Sequence, residues 1–255
     1  MADSPTRRAV LVGLGTSALA VACSTTDSNP TGAPTTTTTT VPAASIPATS
    51  GNAASELTAA DFDTVGSCSS LPPSPAGPFG LREQFVRRDV TEGYPGHPLR
   101  LGLRVADDTC APFVDAEVEI WHADATGDYS AFSDNGTGKD EAEGTTFLRG
   151  TQTTDADGIV MFETIVPGWY PGRAVHIHIT VRRAEGGSRT GQLFFDESFL
   201  GEVYAEADYR DNGTADTTNA ADAVAAGRAA DTVLHTAAGD TARGAGTVAL
   251  LNLSV

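Results

Sequence analysis

The chain has 255 residues, of which 40% are hydrophobic, so it can bury the core of one or two domains. Its 33 acidic and 16 basic residues give a formal net charge of -17. This charge argues against nucleic acid as a partner, and against attachment to an anionic membrane through a basic surface.

Residues 1–23 predict export. Arg7 and Arg8 precede an apolar run over residues 10–22, and this order of charged and apolar regions resembles a twin-arginine signal. The run is too short to remain in a membrane as a spanning helix. It ends at Cys23, in a context that resembles a lipoprotein processing site. We therefore expect an extracellular protein, or one held at the cell surface by a lipid on Cys23, with an ordinary cleaved secretory signal as the alternative.

The next segment, residues 24–56, is predicted to be a disordered linker. It consists mainly of Thr, Ser, Pro, Ala, Asn and Gly, with a run of threonines that includes residues 36–40. Such a composition buries too little apolar surface to offset the entropy lost on ordering. The remaining residues, 57–255, are predicted to form one folded domain.

Two cysteines lie in that predicted domain. Cys68 and Cys110 most simply form one disulfide if the chain is exported to an oxidising compartment. Two buried free thiols are the alternative. Neither cysteine has a Cys or His neighbour at zinc-ligand spacing, which argues against a zinc site.

Short runs of alternating apolar and polar residues predict β-strands throughout the domain. In chain order, the predicted strands cover residues 99–105, 116–120, 147–153, 159–165, 175–181, 191–195 and 248–255. The Asp-Ala-Asp-Gly sequence at residues 155–158 predicts a hairpin between two of them. Many short strands with turn signals and no helical repeat indicate an all-β fold, an antiparallel β-sandwich with long loops.

Two segments carry no strand pattern. Residues 133–145 are polar and are predicted to be a loop that links the sheets. Residues 201–245 are rich in Ala and Asp. Within them, residues 220–230 suit a helix by propensity, but they lack an apolar stripe, so long loops with short turns are equally compatible with the sequence.

The strongest chemical signal is a pair of histidines on one predicted strand. His176 and His178 alternate with buried-type residues, so both side chains leave the same face, roughly 6.5–7 Å apart, and can converge on one metal ion. Alone, this is a weak signal, because a histidine pair satisfied by the protein has the same pattern. We expect His97 and His122 to be structural or surface residues and His235 to lie in a loop.

Two phenols, Tyr129 and Tyr170, are the remaining candidate ligands at predicted strand ends. An unperturbed tyrosine titrates near pH ~10, so only a strongly Lewis-acidic centre such as a ferric ion holds it as phenolate at neutral pH. Zinc prefers thiolate or carboxylate beside histidine, and neither is placed for it. Two phenolates and two imidazoles therefore suit iron(III).

These residues occur in four segments whose order resembles the intradiol ring-cleavage dioxygenases, the family that includes catechol, hydroxyquinol and protocatechuate dioxygenases. The segments are Trp121-His122-Ala123-Asp124-Ala125-x-Gly127-x-Tyr129-Ser130, Thr164-Ile165-Val166-Pro167-Gly168-Trp169-Tyr170, Arg173-x-x-His176-x-His178, and Gln192. The resemblance covers roughly residues 80–200.

The resemblance implies a β-sandwich of the transthyretin or immunoglobulin-like type with a mononuclear, non-haem ferric ion, Fe(III), bound by four side chains. Tyr129 and His176 would be equatorial ligands and Tyr170 and His178 axial ones, with hydroxide in the fifth position. The implied reaction is cleavage of a catechol-type ring by O2 to a cis,cis-muconate-type dicarboxylic acid, with both oxygen atoms incorporated.

The resemblance also implies roles near the substrate. Arg173 and Gln192 would flank the aromatic ring, where a fixed cation stabilises developing negative charge, and Tyr170 would accept a substrate proton. The segment between Tyr170 and His176 is shorter than in the catechol and protocatechuate enzymes, so substrate preference does not carry over. The helical dimerisation region of catechol dioxygenases has no counterpart in the sequence, so no dimer is implied.

Two other classes of protein share parts of these patterns. Residues 154–170 also fit transthyretin-like and collagen-adhesin-type modules, in which they form only a turn and a strand end, and the protein would be a surface binding module. Cupins use His-x-His on a strand with a downstream Glu. Here Arg182 and Arg183 occupy the region in which that Glu is expected.

Overall fold

The computed structural model describes residues 56–132, 144–239 and 246–255. The predicted export signal, Cys23 and all but the last residue of the predicted linker lie outside this part of the chain. Residues 133–143 of the predicted polar loop also lie outside it. The described residues belong to one compact unit.

Strands dominate the described residues. They are β1 Ser69–Ser70, β2 Pro98–Ala106, β3 Glu117–Trp121, β4 Arg149–Thr153, β5 Ile159–Ile165, β6 His176–Arg182, β7 Ser188–Phe194, β8 His235–Ala238 and β9 Thr247–Ser254. The helices are α1 Glu197–Val203 and 3-10 helices at Ala59–Phe62 and Ala229–Thr232. None of these helices is long and apolar enough to cross a membrane. The all-β class is confirmed.

The strands form two sheets. One has the order β1-β9-β2-β5, with β8 also paired to β9, and the other has the order β4-β3-β6-β7. Alternate side chains of both sheets enter one hydrophobic cluster, which includes Leu99, Leu101, Leu103, Val118, Ile120, Ile177, Ile179, Leu251 and Leu253. The period-two patterns thus place one face of each central strand in a shared core.

The predicted hairpin at residues 155–158 is wrong in its pairing. The turn itself is present, since the Gly158 N–H donates to the Asp155 carbonyl oxygen at 3.0 Å and Gly158 has φ +77°. However, β4 pairs with β3 and β5 pairs with β2, so the turn carries the chain from one sheet to the other. Turn chemistry specifies the reversal, whereas the partner of each strand is decided by the core that it helps to bury.

The expected antiparallel arrangement holds only in part: the other strand pairs are antiparallel, but β9 runs parallel to β2 and to β1. The segment after β7 crosses to the other sheet and enters it as β8, which pairs antiparallel with β9. His235 is therefore the first residue of a strand, not a loop residue.

The segment over residues 201–239 is mainly turns, so the loop alternative was the better one for residues 220–230. The short helix α1 was not predicted. Its start is fixed by Asp196, whose carboxylate accepts hydrogen bonds from the backbone N–H groups of Ser198 and Phe199. A local Asp-Glu-Ser sequence is a cap signal that the strand pattern around it obscured.

The predicted disulfide is confirmed. Cys68 and Cys110 are bonded, with their Cα atoms 5.9 Å apart. The bond ties the segment before β1 to the turn after β2, which are 42 residues apart in the chain.

Candidate metal centre

Strand β6 carries the two candidate histidines on the face opposite the core. Ile177 and Ile179 are fully buried in the hydrophobic cluster. His176 and His178 therefore leave the other face, as the alternation predicts. In register, His178 lies between Trp121 on β3 and Gln192 on β7.

The two phenols come from neighbouring loops that pack closely. Gly127 has φ +94°, and a Cβ atom there would collide with the carbonyl oxygen of Trp169. A Cβ atom on Gly168 would likewise collide with the carbonyl of Ala125. These glycines let the loops approach backbone to backbone, which brings the Tyr129 and Tyr170 ring centroids to 5.7 Å.

All four candidate ligands meet in one place. The Nε2 atoms of His176 and His178 are 3.1 Å apart, and the Tyr170 hydroxyl is 3.2 Å from His176 Nε2. The Tyr129 ring centroid is 6.0 Å from that of His178. Three of the four side chains are buried, and Tyr170 is partly exposed.

The two candidate histidines are suited to act as neutral nitrogen ligands. His176 Nδ1 is 2.6 Å from the Ala174 carbonyl oxygen, so Nδ1 carries the proton and Nε2 carries the lone pair. Burial lowers the pKa of His176 to about 3 and that of His178 well below its ordinary value, and Arg173 acts in the same direction on both. Two neutral imidazoles that face each other at 3.1 Å fit a shared cation between their Nε2 atoms.

The phenols complete a donor set that suits a ferric ion. Burial raises the pKa of both Tyr129 and Tyr170, while the Arg173 guanidinium opposes that rise. Both are therefore protonated at neutral pH unless a strong Lewis acid supplies the compensating charge. Two such phenols with two imidazoles fit iron(III) better than zinc.

The two predicted substrate-flanking residues border the cluster and contact each other. Arg173 donates from Nη2 to Gln192 Oε1 at 2.8 Å and from Nη1 to the Tyr170 hydroxyl at 3.4 Å. Gln192 Nε2 is buried and has no hydrogen-bond partner among the described residues. The structure thus brings together all six residues singled out in the sequence.

Several neighbours of the ligands were not singled out. The Trp121 ring stacks on His178 at 4.8 Å, and Phe79 stacks on Tyr129 at 4.3 Å. Asp222 accepts a hydrogen bond from Arg173 Nε at 2.9 Å. Trp121 lies in the first motif, which could have indicated it, whereas Phe79 and Asp222 belong to segments without a regular pattern.

The other histidines lie outside the cluster. His122 is buried and contacts the Thr164 hydroxyl and the Ala123 carbonyl oxygen, so its role is structural, as expected. His97 contacts Glu206 and Thr247.

In the described part of the chain, no group of three or more His, Cys, Asp or Glu side chains could hold a metal ion. A cavity of about 420 Å³ is lined by Val175 and side chains from residues 197–219, and none of the four candidate ligands lines it. The histidine and tyrosine cluster is therefore the candidate centre.

Comparisons with known proteins identify the family of the chain. A family model described as Dioxygenase matches residues 80–234. The structure of an intradiol ring-cleavage dioxygenase from Tetranychus urticae is 31% identical, with a TM-score of 0.66, over 73% of this chain and 94% of that chain. The fold, the family model and this structural match together identify the protein as an oxygenase. The chain belongs to the intradiol ring-cleavage dioxygenase family, whose members cleave catechol-type rings.

More distant structures support the fold alone. The 3-chlorocatechol 1,2-dioxygenase of Rhodococcus opacus 1CP is 19% identical, with a TM-score of 0.50, over 77% of this chain and 78% of that chain. The dioxygenase domain of a carbohydrate-binding fusion protein from Streptomyces sp. SirexAA-E is 24% identical, with a TM-score of 0.50, over 73% and 97%. No curated protein matches the sequence. Membership of this enzyme family argues against both the non-enzymatic adhesin-type alternative and the cupin.

Proposed function

We propose that this protein is an Fe(III)-dependent dioxygenase with a β-sandwich catalytic domain over residues 57–255. It cleaves a catechol-type ring between the two hydroxylated carbons and forms a cis,cis-muconate-type dicarboxylic acid that contains both atoms of O2. The observation that carries the proposal is the convergence of two imidazoles and two phenols in a chain of this family.

The ligands to the ion would be the Nε2 atoms of His176 and His178 and the phenolate oxygens of Tyr129 and Tyr170. Ferric iron bound there would draw electron density from a chelated catecholate, which makes a ring carbon reactive toward O2. Phe79 and Trp121 cover Tyr129 and His178 with stacked rings, so they keep water from these two ligands.

Tyr170 is the phenol best placed to accept a substrate proton. It is partly exposed, whereas Tyr129 is fully buried, so Tyr170 is the one that a substrate hydroxyl can reach. Its hydroxyl lies 3.4 Å from the Arg173 guanidinium. That cation supports negative charge on a bound diolate, and the unpartnered Gln192 Nε2 is a spare donor for a substrate oxygen.

The test begins with the purified full-length protein. We expect about one iron per chain, a red-brown colour from tyrosinate-to-ferric charge transfer, and a shift of that absorption band when catechol is added without oxygen. With oxygen, catechol should give the dicarboxylic acid with equimolar O2 uptake. A colourless protein that takes up no ferric iron and does not cleave catechol would refute the proposal.

Variants of single ligands separate metal binding from turnover. Tyr170→Phe should keep part of the iron but lose turnover, because three ligands remain while the proton acceptor is gone. His178→Ala should lose the iron. His235→Ala, which removes an exposed histidine on β8, is the matched control and should keep both. Wild-type ring cleavage by His178→Ala would reject the ligand assignment.

We also propose that the chain is exported by the twin-arginine route and carries a lipid on Cys23. The Cys68–Cys110 disulfide supports an oxidising compartment. Replacing Arg7 and Arg8 by lysine should leave the protein in the cytoplasm, and Cys23→Ala should abolish labelling by a radioactive fatty acid. Unchanged export would contradict the twin-arginine route, and unchanged labelling would contradict the lipid on Cys23.

A further inference from the structure

We infer that Asp222 is a positioning residue of the active site, which holds both Arg173 and the backbone that orients His176. This inference rests on the proposed function, because Arg173 matters only if substrate binds beside it. Asp222 lies in residues 212–225, here called the C-terminal strap, which runs along the turn over residues 169–174.

The Asp222 carboxylate is buried, with 2% of the residue exposed, and both of its oxygens are occupied. Oδ2 accepts hydrogen bonds from Arg173 Nε at 2.9 Å and from the Ala174 N–H at 2.8 Å. Oδ1 accepts from the N–H groups of Val224 and Ala225 at 2.8 and 2.9 Å. The strap's own backbone thus fixes the carboxylate, and the carboxylate fixes the turn.

Its first effect is on the direction of Arg173. The guanidinium is planar, so an anchor on Nε determines where the other two nitrogens lie. Those nitrogens meet Gln192 Oε1 and the Tyr170 hydroxyl. A charge-assisted bond at 2.9 Å to a buried carboxylate is a strong anchor for this orientation. Asp222 therefore acts on the substrate region through Arg173 and does not itself contact the substrate.

Its second effect is on His176. The N–H of Ala174 donates to Asp222, and the carbonyl of the same residue accepts from His176 Nδ1 at 2.6 Å. Ala174 is thereby fixed in place, and its carbonyl keeps the imidazole with Nε2 toward His178. Partners that orient a metal-ligating histidine in this way typically change metal affinity or activity 10–100-fold when lost, roughly.

The strap also supplies a matched control. Asp216 accepts a hydrogen bond from the Gly172 N–H at 3.1 Å, so it binds the same turn. Unlike Asp222, it is exposed, and no guanidinium contacts it in the described residues. Asp216→Asn and Asp222→Asn each remove one negative charge from the strap, but only the second removes the partner of Arg173.

The first experiment measures kcat, KM and iron content of the full-length holoenzyme with catechol as the probe. Asp222→Asn should lower kcat roughly 10–100-fold, while most of the iron is kept. Asp222→Glu, which keeps the charge, should recover part of the loss, and Asp216→Asn should stay within about twofold of the wild type. Equal effects of both Asn variants would overturn the assignment.

The second experiment is a double-mutant cycle with Arg173→Met, read by kcat and by the Tm of the metal-free protein. In the Met background, Asp222→Asn should retain only the smaller loss that passes through Ala174 and His176, so the combined loss of kcat should be clearly less than the product of the two single losses. The effect of Asp222→Asn on Tm should also change sign between the two backgrounds. It should lower Tm when Arg173 is present and raise Tm in Arg173→Met, because Arg173→Met leaves a buried carboxylate without its cation and Asp222→Asn removes that charge. Additive losses of both quantities would overturn the proposal.

The Tm cycle distinguishes failure of this inference from failure of the proposed function. A protein that binds no iron and cleaves no ring would refute the proposed function. The Tm cycle on the metal-free protein would still measure the coupling between Asp222 and Arg173. Should the single Asn variant fail to fold, the Arg173→Met/Asp222→Asn double variant decides. A folded double variant supports the pair, and an unfolded one overturns it.

Discussion

We expect the metal-free protein to lose stability as the pH falls from about 6.5 to about 4, because His122 is buried as a neutral imidazole. Its Nε2 lies 2.7 Å from the Thr164 hydroxyl and its Nδ1 2.8 Å from the Ala123 carbonyl oxygen. Burial lowers its pKa from the ordinary 6.5 to about 4. The unfolded chain therefore binds a proton before the folded chain does.

The size of the effect follows from the two pKa values. When the folded-state pKa is depressed, the contribution to stability is complete above the unfolded pKa and is lost as the pH falls through the folded pKa. Each pH unit in that window corresponds to about 1.4 kcal/mol per proton. From 6.5 to about 4, His122 alone should lower the free energy of unfolding by about 3 kcal/mol.

Urea unfolding at pH 7 and pH 4, on protein stripped of metal with a chelator, measures this loss. His176 and His178 also have lowered pKa values and act in the same direction, so the wild-type loss alone does not isolate His122. His122→Gln should reduce the difference between the two pH values by about 3 kcal/mol, although it also lowers stability at both. His235→Gln is the exposed control. An unchanged pH difference in His122→Gln would refute the reasoning.

Three further outcomes are expected. Arg149→Lys should cost roughly 1–3 kcal/mol of stability and lower iron retention, because the Arg149 guanidinium donates to the Ser130 hydroxyl and to the carbonyl oxygens of Phe79 and Ser130. Urea unfolding measures the first effect and metal analysis the second. Gly127→Ala should abolish iron binding through a collision of its Cβ atom with the neighbouring loop, whereas Gly66→Ala, at a similar φ but with open space, should keep it. Iron loading at neutral pH should release the protons of Tyr129 and Tyr170, since burial raises the pKa of both, and calorimetry in two buffers of different ionisation enthalpy counts them.

The sequence was most informative where a local period decides the structure. Alternation alone placed His176 and His178 on one face of β6, because a strand turns its side chains by half a turn per residue. Periodicity was not enough to place the phenols. Tyr129 and Tyr170 come together because two glycines allow close loop packing, and the sequence linked these tyrosines to one site only through their chemistry as candidate ligands and through the family resemblance.

Local sequence patterns did not predict which strands pair, or which residues around the site hold its side chains in place. The turn at residues 155–158 looks like a hairpin turn from sequence, but β4 and β5 join different sheets. Asp222 is separated from Arg173 by 49 residues, and no spacing connects them. Long-range partners depend on how the whole core closes, and a one-sequence pattern does not contain that information.

The C-terminal strap also sets how much positive charge the site presents. After the dominant effect of burial, which raises the pKa of Tyr170, Arg173 lowers that pKa and Asp222 raises it. An arginine without a carboxylate partner would bind an anionic diolate and an anionic product about equally tightly. Tight binding of the product would slow its release, a step that can limit kcat. Under the proposed function, pairing with Asp222 keeps the guanidinium aimed at the ring while limiting its net charge, which suits a residue beside a dicarboxylate product that must leave.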